Sequence, residues 1–320
     1  MTGSQFRIAM IGECMIEMSD RGGGTVTMAF GGDTFNTAAY MARLGEGLGP
    51  FVDYVSALGD DPYSADMAAF WRSQGVGDAL VPRRKGKRPG LYFIKTDAKG
   101  ERRFFYWRGE AAVRECFEGE GSDELLAALG GFQAIYLSGI SIAVLKPASR
   151  ARLLARLAEL AAAGTAIYFD CNYRPLLWEN VETTRALYEQ LFALSTAVLV
   201  TVEELAVLGV EESHAAGVAY FARYPALEVV IKDGGSPCTV IAGGATFQVP
   251  PVKVETVVDT TAAGDSFSAA YLLGRILKLD AAEAARRAHQ VGAAVVQHRG
   301  AIIPKEATPM VFADVIAARG

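Results

Sequence analysis

One string in the chain carries the chemistry most openly: Asp259-Thr260-Thr261-Ala262-Ala263-Gly264-Asp265-Ser266-Phe267. It follows a segment expected to be extended, Val252 to Val258, and it opens an apolar run, Phe267 to Leu277, long enough for a buried helix. Thr260 and Thr261 offer hydroxyls for the N-cap of that helix. Ala262, Ala263 and Gly264 leave backbone N–H groups bare at its start, where the positive end of the helix dipole attracts anions and phosphate above all. Asp265, in the first turn, is expected to stay ionised and, beside a bound phosphate, to take the proton of an attacking hydroxyl. An anion cradle with an adjacent base is the minimum equipment for phosphoryl transfer. A lone Ala-Ala-Gly-Asp would read as a capped, closely packed helix; the whole string is more specific.

Other polar clusters fall where strands should end. Asp170-Cys171-Asn172-Tyr173-Arg174, Thr201-Val202-Glu203-Glu204 and Lys232-Asp233-Gly234-Gly235 each follow a short apolar run. Asn172, Thr201 and Glu204 could lie near Mg²⁺ and its waters, with Glu204 equally readable as a helix first-turn charge. The stretch Lys232 to Gly235 could set backbone against nucleotide phosphates or ribose, or be a simple turn. Gly31-Gly32-Asp33-Thr34-Phe35-Asn36 precedes a helical pattern ending near Gly45. Paired glycines allow close backbone approach, and Asp33 and Asn36 suit sugar hydroxyls; a tight turn with an Asp cap is the alternative. Arg108 and Arg174, with Tyr92 and Tyr106, suggest a substrate carrying a carboxylate as well as hydroxyls, because the guanidinium fork pairs with carboxylates.

The elements that must position these groups alternate along the chain. Phe6 to Ile11, Val52 to Leu58, Ala134 to Leu137, Ala166 to Phe169, Ala197 to Val200 and Val229 to Lys232 read as buried strands. Helices are expected from Asp60-Asp61-Pro62-Tyr63 through about Gln74, over Pro147 to Ala163 and Val181 to Ala193, after Thr201, and over Phe267–Lys278 and Ala281–Gln297. Cys238 to Ala242 and Thr246 to Val249 form a hairpin around Gly243-Gly244. Such alternation predicts an α/β fold, a largely parallel sheet with helices on both faces and ligands at the carboxyl ends of its strands. Two β-ribbons interrupt it: Cys14–Ser19 with Thr25–Phe30, and Leu91–Thr96 with Glu101–Trp107 across the turn Asp97 to Gly100. Together they predict a small four-stranded lid from about residues 13–30 and 90–108, inserted in a single unit spanning 1–320. The basic stretch Arg83 to Arg88 leads into it as a solvated loop.

Composition narrows the class. With 320 residues, 51% hydrophobic and a net charge of −5, the chain can build a large core and shows no basic face for nucleic acid or an anionic membrane. Cys14, Cys116, Cys171 and Cys238 are widely spaced, and His214, His289 and His298 make no ligand cluster. A reduced cytoplasmic protein is expected, without disulfide framework or zinc site. No apolar stretch approaches the roughly 20 residues a membrane span needs.

The nine-residue string resembles the C-terminal signature of the ribokinase-like (PfkB) carbohydrate kinases, and Gly31 to Gly45 resembles their N-terminal signature, in the correct order. Further strings, Ile11 to Glu17, Gly90-Leu91-Tyr92, Phe105-Tyr106-Trp107-Arg108, Leu137 to Ile140, Asn172 to Pro175 and Arg299 to Pro304, resemble the branch of that family acting on ketodeoxy sugar acids. The resemblance implies a ribokinase-like fold and ATP- and Mg²⁺-dependent phosphorylation of the 6-hydroxyl of 2-dehydro-3-deoxy-D-gluconate, with Asp265 as catalytic base. It implies substrate contacts from Gly31, Gly32, Asp33, Thr34, Phe35, Asn36, Tyr92, Tyr106, Trp107, Arg108, Arg174 and Asp265. Nucleotide contacts would come from Asn172, Tyr173, Arg174, Lys232, Asp233, Gly234, Gly235, Ala262, Ala263, Gly264 and Asp265. Glu204 would touch Mg²⁺ indirectly, through water; Thr201 stands where Asn usually opens that motif, which weakens a Mg²⁺ role for its side chain. Pro237 likewise replaces a frequent Gly in the nucleotide loop. Alternatives are a kinase for 2-dehydro-3-deoxygalactonate or fructose, or a non-catalytic sugar-acid sensor. A monovalent cation and a homodimer, or a higher homo-oligomer, through the lid stay open.

Overall fold

The computed structural model describes residues 6–48, 51–96 and 102–318. Nine strands form the main sheet, in the order Ala245–Val249, Cys238–Ala242, Glu228–Lys232, Ala197–Thr201, Ala166–Asp170, Ala134–Ser138, Arg7–Ile11, Phe51–Val55 and Val76–Leu80. All pairings are parallel except those made by the Cys238–Ala242 and Ala245–Val249 strands at one edge. The central strands are apolar runs because helices cover both faces. One face packs Phe35, Tyr54, Trp71, Tyr271 and Leu273; the other packs Phe169, Tyr188, Phe192 and Leu157, all essentially without exposure. Burying each large side chain contributes about 1.5–3 kcal/mol before entropy is counted.

Parallel register aligns the strand ends. Ser138 pairs with Asp170, and Thr201 with Lys232, so polar residues that close neighbouring strands collect along one edge of the sheet. Two helices on one face bring further groups there. Helix Asp33–Leu44 starts from Gly32 and helix Ala263–Ile276 from Ala262; they pack against each other through buried Ala38, Ala39, Ala269 and Ala270.

The two ribbons do form a separate four-stranded sheet, ordered Val26–Gly31, Met15–Asp20, Gly90–Thr96 and Arg102–Trp107. Its centre is a parallel pairing, Met15 with Gly90 through Ser19 with Ile94, which joins the ribbons into one sheet. The expected turn Asp97 to Gly100 lies outside the described residues.

Four expectations change. Val52 to Leu58 is not one strand: the chain leaves the sheet after Val55, and Leu58–Gly59 pairs instead with Arg83–Arg84. The basic stretch is therefore partly ordered. Arg84 is spent on the carbonyl oxygens of Cys116, Glu118 and Glu120 at 3.1, 2.7 and 2.6 Å. Val252 to Val258 joins neither sheet; the N–H groups of Val258 and Asp259 donate instead to the Val296 carbonyl, at 2.8 and 3.1 Å. After Thr201 the helix is a short 3₁₀ segment, Glu203–Leu208.

Candidate active site

An open cleft of about 1470 Å³ lies between the polar edge of the main sheet and the small sheet. Asp265 is half-buried in its wall, in the first turn of the Ala263–Ile276 helix. Its Oδ2 accepts a hydrogen bond from Asn36 Nδ2 at 2.8 Å, which ties the two helix starts together. The expectation of a freely ionised Asp265 does not hold. Burial, then the neighbouring charges of Asp33 and Asp170, push its pKa up to about 7, against the opposing pull of the Asn36 hydrogen bond and Lys232. A carboxyl poised there can both hold and release a proton near neutrality.

The helix start also differs from expectation. Neither Thr260 nor Thr261 is the N-cap. Ala262 takes that place, with a left-handed backbone (φ 61°) and no side-chain cap. Thr261 instead donates its N–H and its hydroxyl to Asp259 Oδ1, at 3.0 and 2.7 Å, and Asp259 Oδ2 accepts from Gly300 N at 2.9 Å. Asp259 thus ties the loop down before the helix; no side chain caps the helix start, where the Ala263 N–H donates to Thr260 O at 3.2 Å.

Of the residues assigned to the sugar, Gly32, Asp33, Asn36, Tyr92, Tyr106, Trp107 and Arg108 all line the cleft. Thr34 and Phe35 do not: their side chains point into the core, Thr34 Oγ1 lying 2.8 Å from Tyr54 OH and Phe35 packing on Tyr54 and Trp71. Gly31 backs onto the Tyr92 hydroxyl rather than lining the cleft. Two carboxylates, unassigned from sequence, hold the ring and the fork. Glu17 accepts from the Tyr92 hydroxyl, and buried Glu13 pairs with Arg108. Glu13 is only 2% exposed; burial raises its pKa, with Arg108 opposing. Its second oxygen, Oε1, is buried without a hydrogen-bond partner. In the sequence Glu13 looked only like the residue ending a strand.

Of the residues assigned to the nucleotide, Asn172, Tyr173, Arg174, Lys232, Ala262 and Gly264 share the same cleft, whereas Asp233, Gly234, Gly235 and Ala263 lie outside its lining. The Asp233–Ser236 segment is a turn closed by Ser236 N to Asp233 O at 2.7 Å, with Gly234 left-handed (φ 49°). Asn172 donates to Asp33 Oδ2 at 2.8 Å, and Arg174 is exposed. Lys232 acts through its side chain: Nζ lies 3.0 Å from Asp170 Oδ2 and 3.3 Å from Ser268 Oγ. Asp170, at the carboxyl end of a buried parallel strand, had a readable position but received no role. Glu204 accepts from the backbone N–H groups of Tyr173 and Thr201 at 2.6 and 2.8 Å, so both its oxygens are engaged.

The cleft thus gathers Asp265, the start of a helix and polar side chains of both sheets in one place. The pfkB family carbohydrate kinase profile matches residues 5–308, and the chain belongs to that family. It is 47% identical to the 2-dehydro-3-deoxygluconokinase of Dickeya dadantii, covering 94% of this chain and 98% of that one. The enzyme of the same name from Escherichia coli K12 is 44% identical, with 95% and 99% covered. In fold it resembles the crystal structure of 2-dehydro-3-deoxygluconokinase from Thermotoga maritima, with a TM-score of 0.81 at 20% identity over 98% of this chain and all of that one.

Proposed function

We propose that this protein transfers the γ-phosphoryl group of ATP to the 6-hydroxyl of 2-dehydro-3-deoxy-D-gluconate, with Asp265 as general base. Identity of 44–47% along nearly the whole length to enzymes of that activity is the observation that carries the substrate. The cleft supports the chemistry. The N–H groups of Ala262 and Gly264 would hold the phosphoryl anion, that of Ala263 donating to Thr260 O at 3.2 Å, and Asp265, one residue on, would receive the proton of the attacking hydroxyl. Asp33 and Asn36 would bind sugar hydroxyls, and Arg108 and Arg174 the carboxylate. Among the described residues no group of three or more His, Cys, Asp or Glu could hold a metal. Mg²⁺ would therefore arrive on the phosphates of ATP and keep its waters, with Glu204 in its outer sphere, in keeping with the ion's reluctance to dehydrate. The small sheet would act as a lid over both ligands. Exposed Val26 and Met28 on it support a homodimer through that sheet, and sedimentation at increasing concentration tests this. Among the described residues no helix is long and apolar enough to cross a membrane, and the dependence on ATP supports a cytoplasmic location.

The test is ATP turnover with 2-dehydro-3-deoxygluconate, 2-dehydro-3-deoxygalactonate and fructose in parallel. Turnover highest with the gluconate supports the reading. Turnover highest with fructose replaces the substrate, and binding without turnover makes the protein a sensor.

A further inference from the structure

We propose that Lys232, fixed by Asp170 and Ser268, is the built-in cation of the transfer site, placed to neutralise the phosphoryl group while Asp265 accepts the proton. The inference rests on the kinase reading and assigns this side chain a role beyond nucleotide-loop backbone. Its geometry is unusual for a structural lysine. The ammonium lies beside the first turn of the Ala263–Ile276 helix, where a side-chain carbon placed on Gly264 would be 3.7 Å from Nζ. Ser268, one turn further along that helix, is the other contact. A cation beside a helix N-terminus is opposed by the helix dipole. Its burial, at 12% side-chain exposure, is tolerated because Asp170 is 3.0 Å away. Cation and helix N-terminus together build an anion site whose occupant would relieve the repulsion between them. Lys232 also lines the cleft that holds Asp265.

In the transfer the hydroxyl oxygen forms its bond to the γ-phosphorus as the bond to the bridging oxygen breaks. ADP leaves with that electron pair, and the hydroxyl proton passes to Asp265. Lys232 keeps its charge throughout. Burial lowers its pKa, but Asp170 and the further carboxylates Glu204 and Asp265 more than offset this. The groups facing Asp265 are Asn36 and Asp33 from the Asp33–Leu44 helix, Asp170 and Lys232 from the two strands that flank Ala197–Thr201, and the neutral hydroxyls of Tyr40 and Tyr136. Asp170 and Lys232 thus act on the base with opposite sign.

That opposition supplies the test. Lys232→Met should lower kcat by at least about 10²-fold, as loss of one charge-stabilising group does. It should also move the acid limb of kcat/KM to higher pH, whereas Asp170→Asn should move it lower. The double variant Asp170→Asn/Lys232→Met removes the buried pair together, guards against misfolding, and should keep the kcat loss with the limb near that of the wild type. Calorimetric binding of Mg²⁺ with the β,γ-imido analogue of ATP needs no turnover and should weaken at least about tenfold in Lys232→Met. Limbs that shift in the same direction, or unchanged analogue affinity in a folded Lys232→Met protein, would overturn the proposal. If the wild type phosphorylates no sugar at all, the kinase reading fails instead, and the analogue-binding arm still reports on Lys232.

Discussion

Burial and two like charges raise the Asp265 pKa to about 7, so that its carboxyl titrates near neutrality. This has a consequence for stability as well as turnover. An unfolded Asp ionises near pH 3.9, so between that value and 7 the unfolded chain releases its proton first. Folding stability contributed by this group therefore falls as pH rises through that window and is level above it. Asp265→Asn should then cost at least about 10²-fold in kcat while leaving ligand affinity largely intact. At pH 8 the same variant should melt higher than the wild type, by on the order of 2 kcal/mol once screening by cleft water is allowed for, and the gain should vanish towards pH 4. Turnover near normal in a folded variant would leave Asp265 only its structural bond to Asn36. Specificity belongs to the same scale. Arg108→Lys and Arg174→Lys should each raise KM for the keto acid at least about tenfold, since a point charge cannot replace the fork, while barely affecting fructose. Equal kcat/KM for fructose and the keto acid in the wild type would end the carboxylate clamp.

Among the elements, the start of the Asp33–Leu44 helix is the most exacting. A Cβ at Gly32 would lie 2.2 Å from the Glu13 carbonyl oxygen, backbone that cannot swing away. Gly32→Ala should therefore cost about 1–3 kcal/mol of stability and raise KM for the sugar by displacing Asp33 and Asn36. An unchanged melting temperature would show that the two segments have room to part. How far such features can be read in advance depends on their range. The central strands were legible because burial on both faces demands unbroken apolar runs, and both ribbons because they alternate. The edge strand Val76–Leu80 was not: Gly77 and Asp78 interrupt its pattern, and only pairing with Phe51–Val55 makes it a strand. The lid and both glycine-rich helix starts were visible in local spacing. The left-handed Ala262 was not, since a tertiary network through Asp259 and Gly300 determines it. Glu13, Glu17 and Asp170 escaped for the same reason. Each takes its meaning from a partner far along the chain.

For the molecule as a whole, the cleft opens between two sheets, and the Arg102–Trp107 strand presents Phe105 and Trp107 to it at 46% and 62% exposure. Such apolar area left open suggests that it is covered when both ligands bind. Hydrogen exchange in the Met15–Asp20 and Gly90–Thr96 strands should slow when an ATP analogue and the sugar acid are present together, more than with either alone. Equal protection in all states would make the small sheet a static wall.

The hydrogen bond between Asn36 and Asp265 joins residues 229 positions apart. The Asp33–Leu44 helix is also latched from the far end of the chain, with Tyr40 OH donating to Ala301 O at 2.9 Å and accepting from Ile303 N at 3.1 Å. During synthesis the Asp33–Leu44 helix therefore emerges long before Asp265, and the latch emerges later still. A nascent chain stalled just beyond Asp265 would own every reacting group yet hold none in place. Closing this site requires contacts of very long sequence separation, a feature that slows folding.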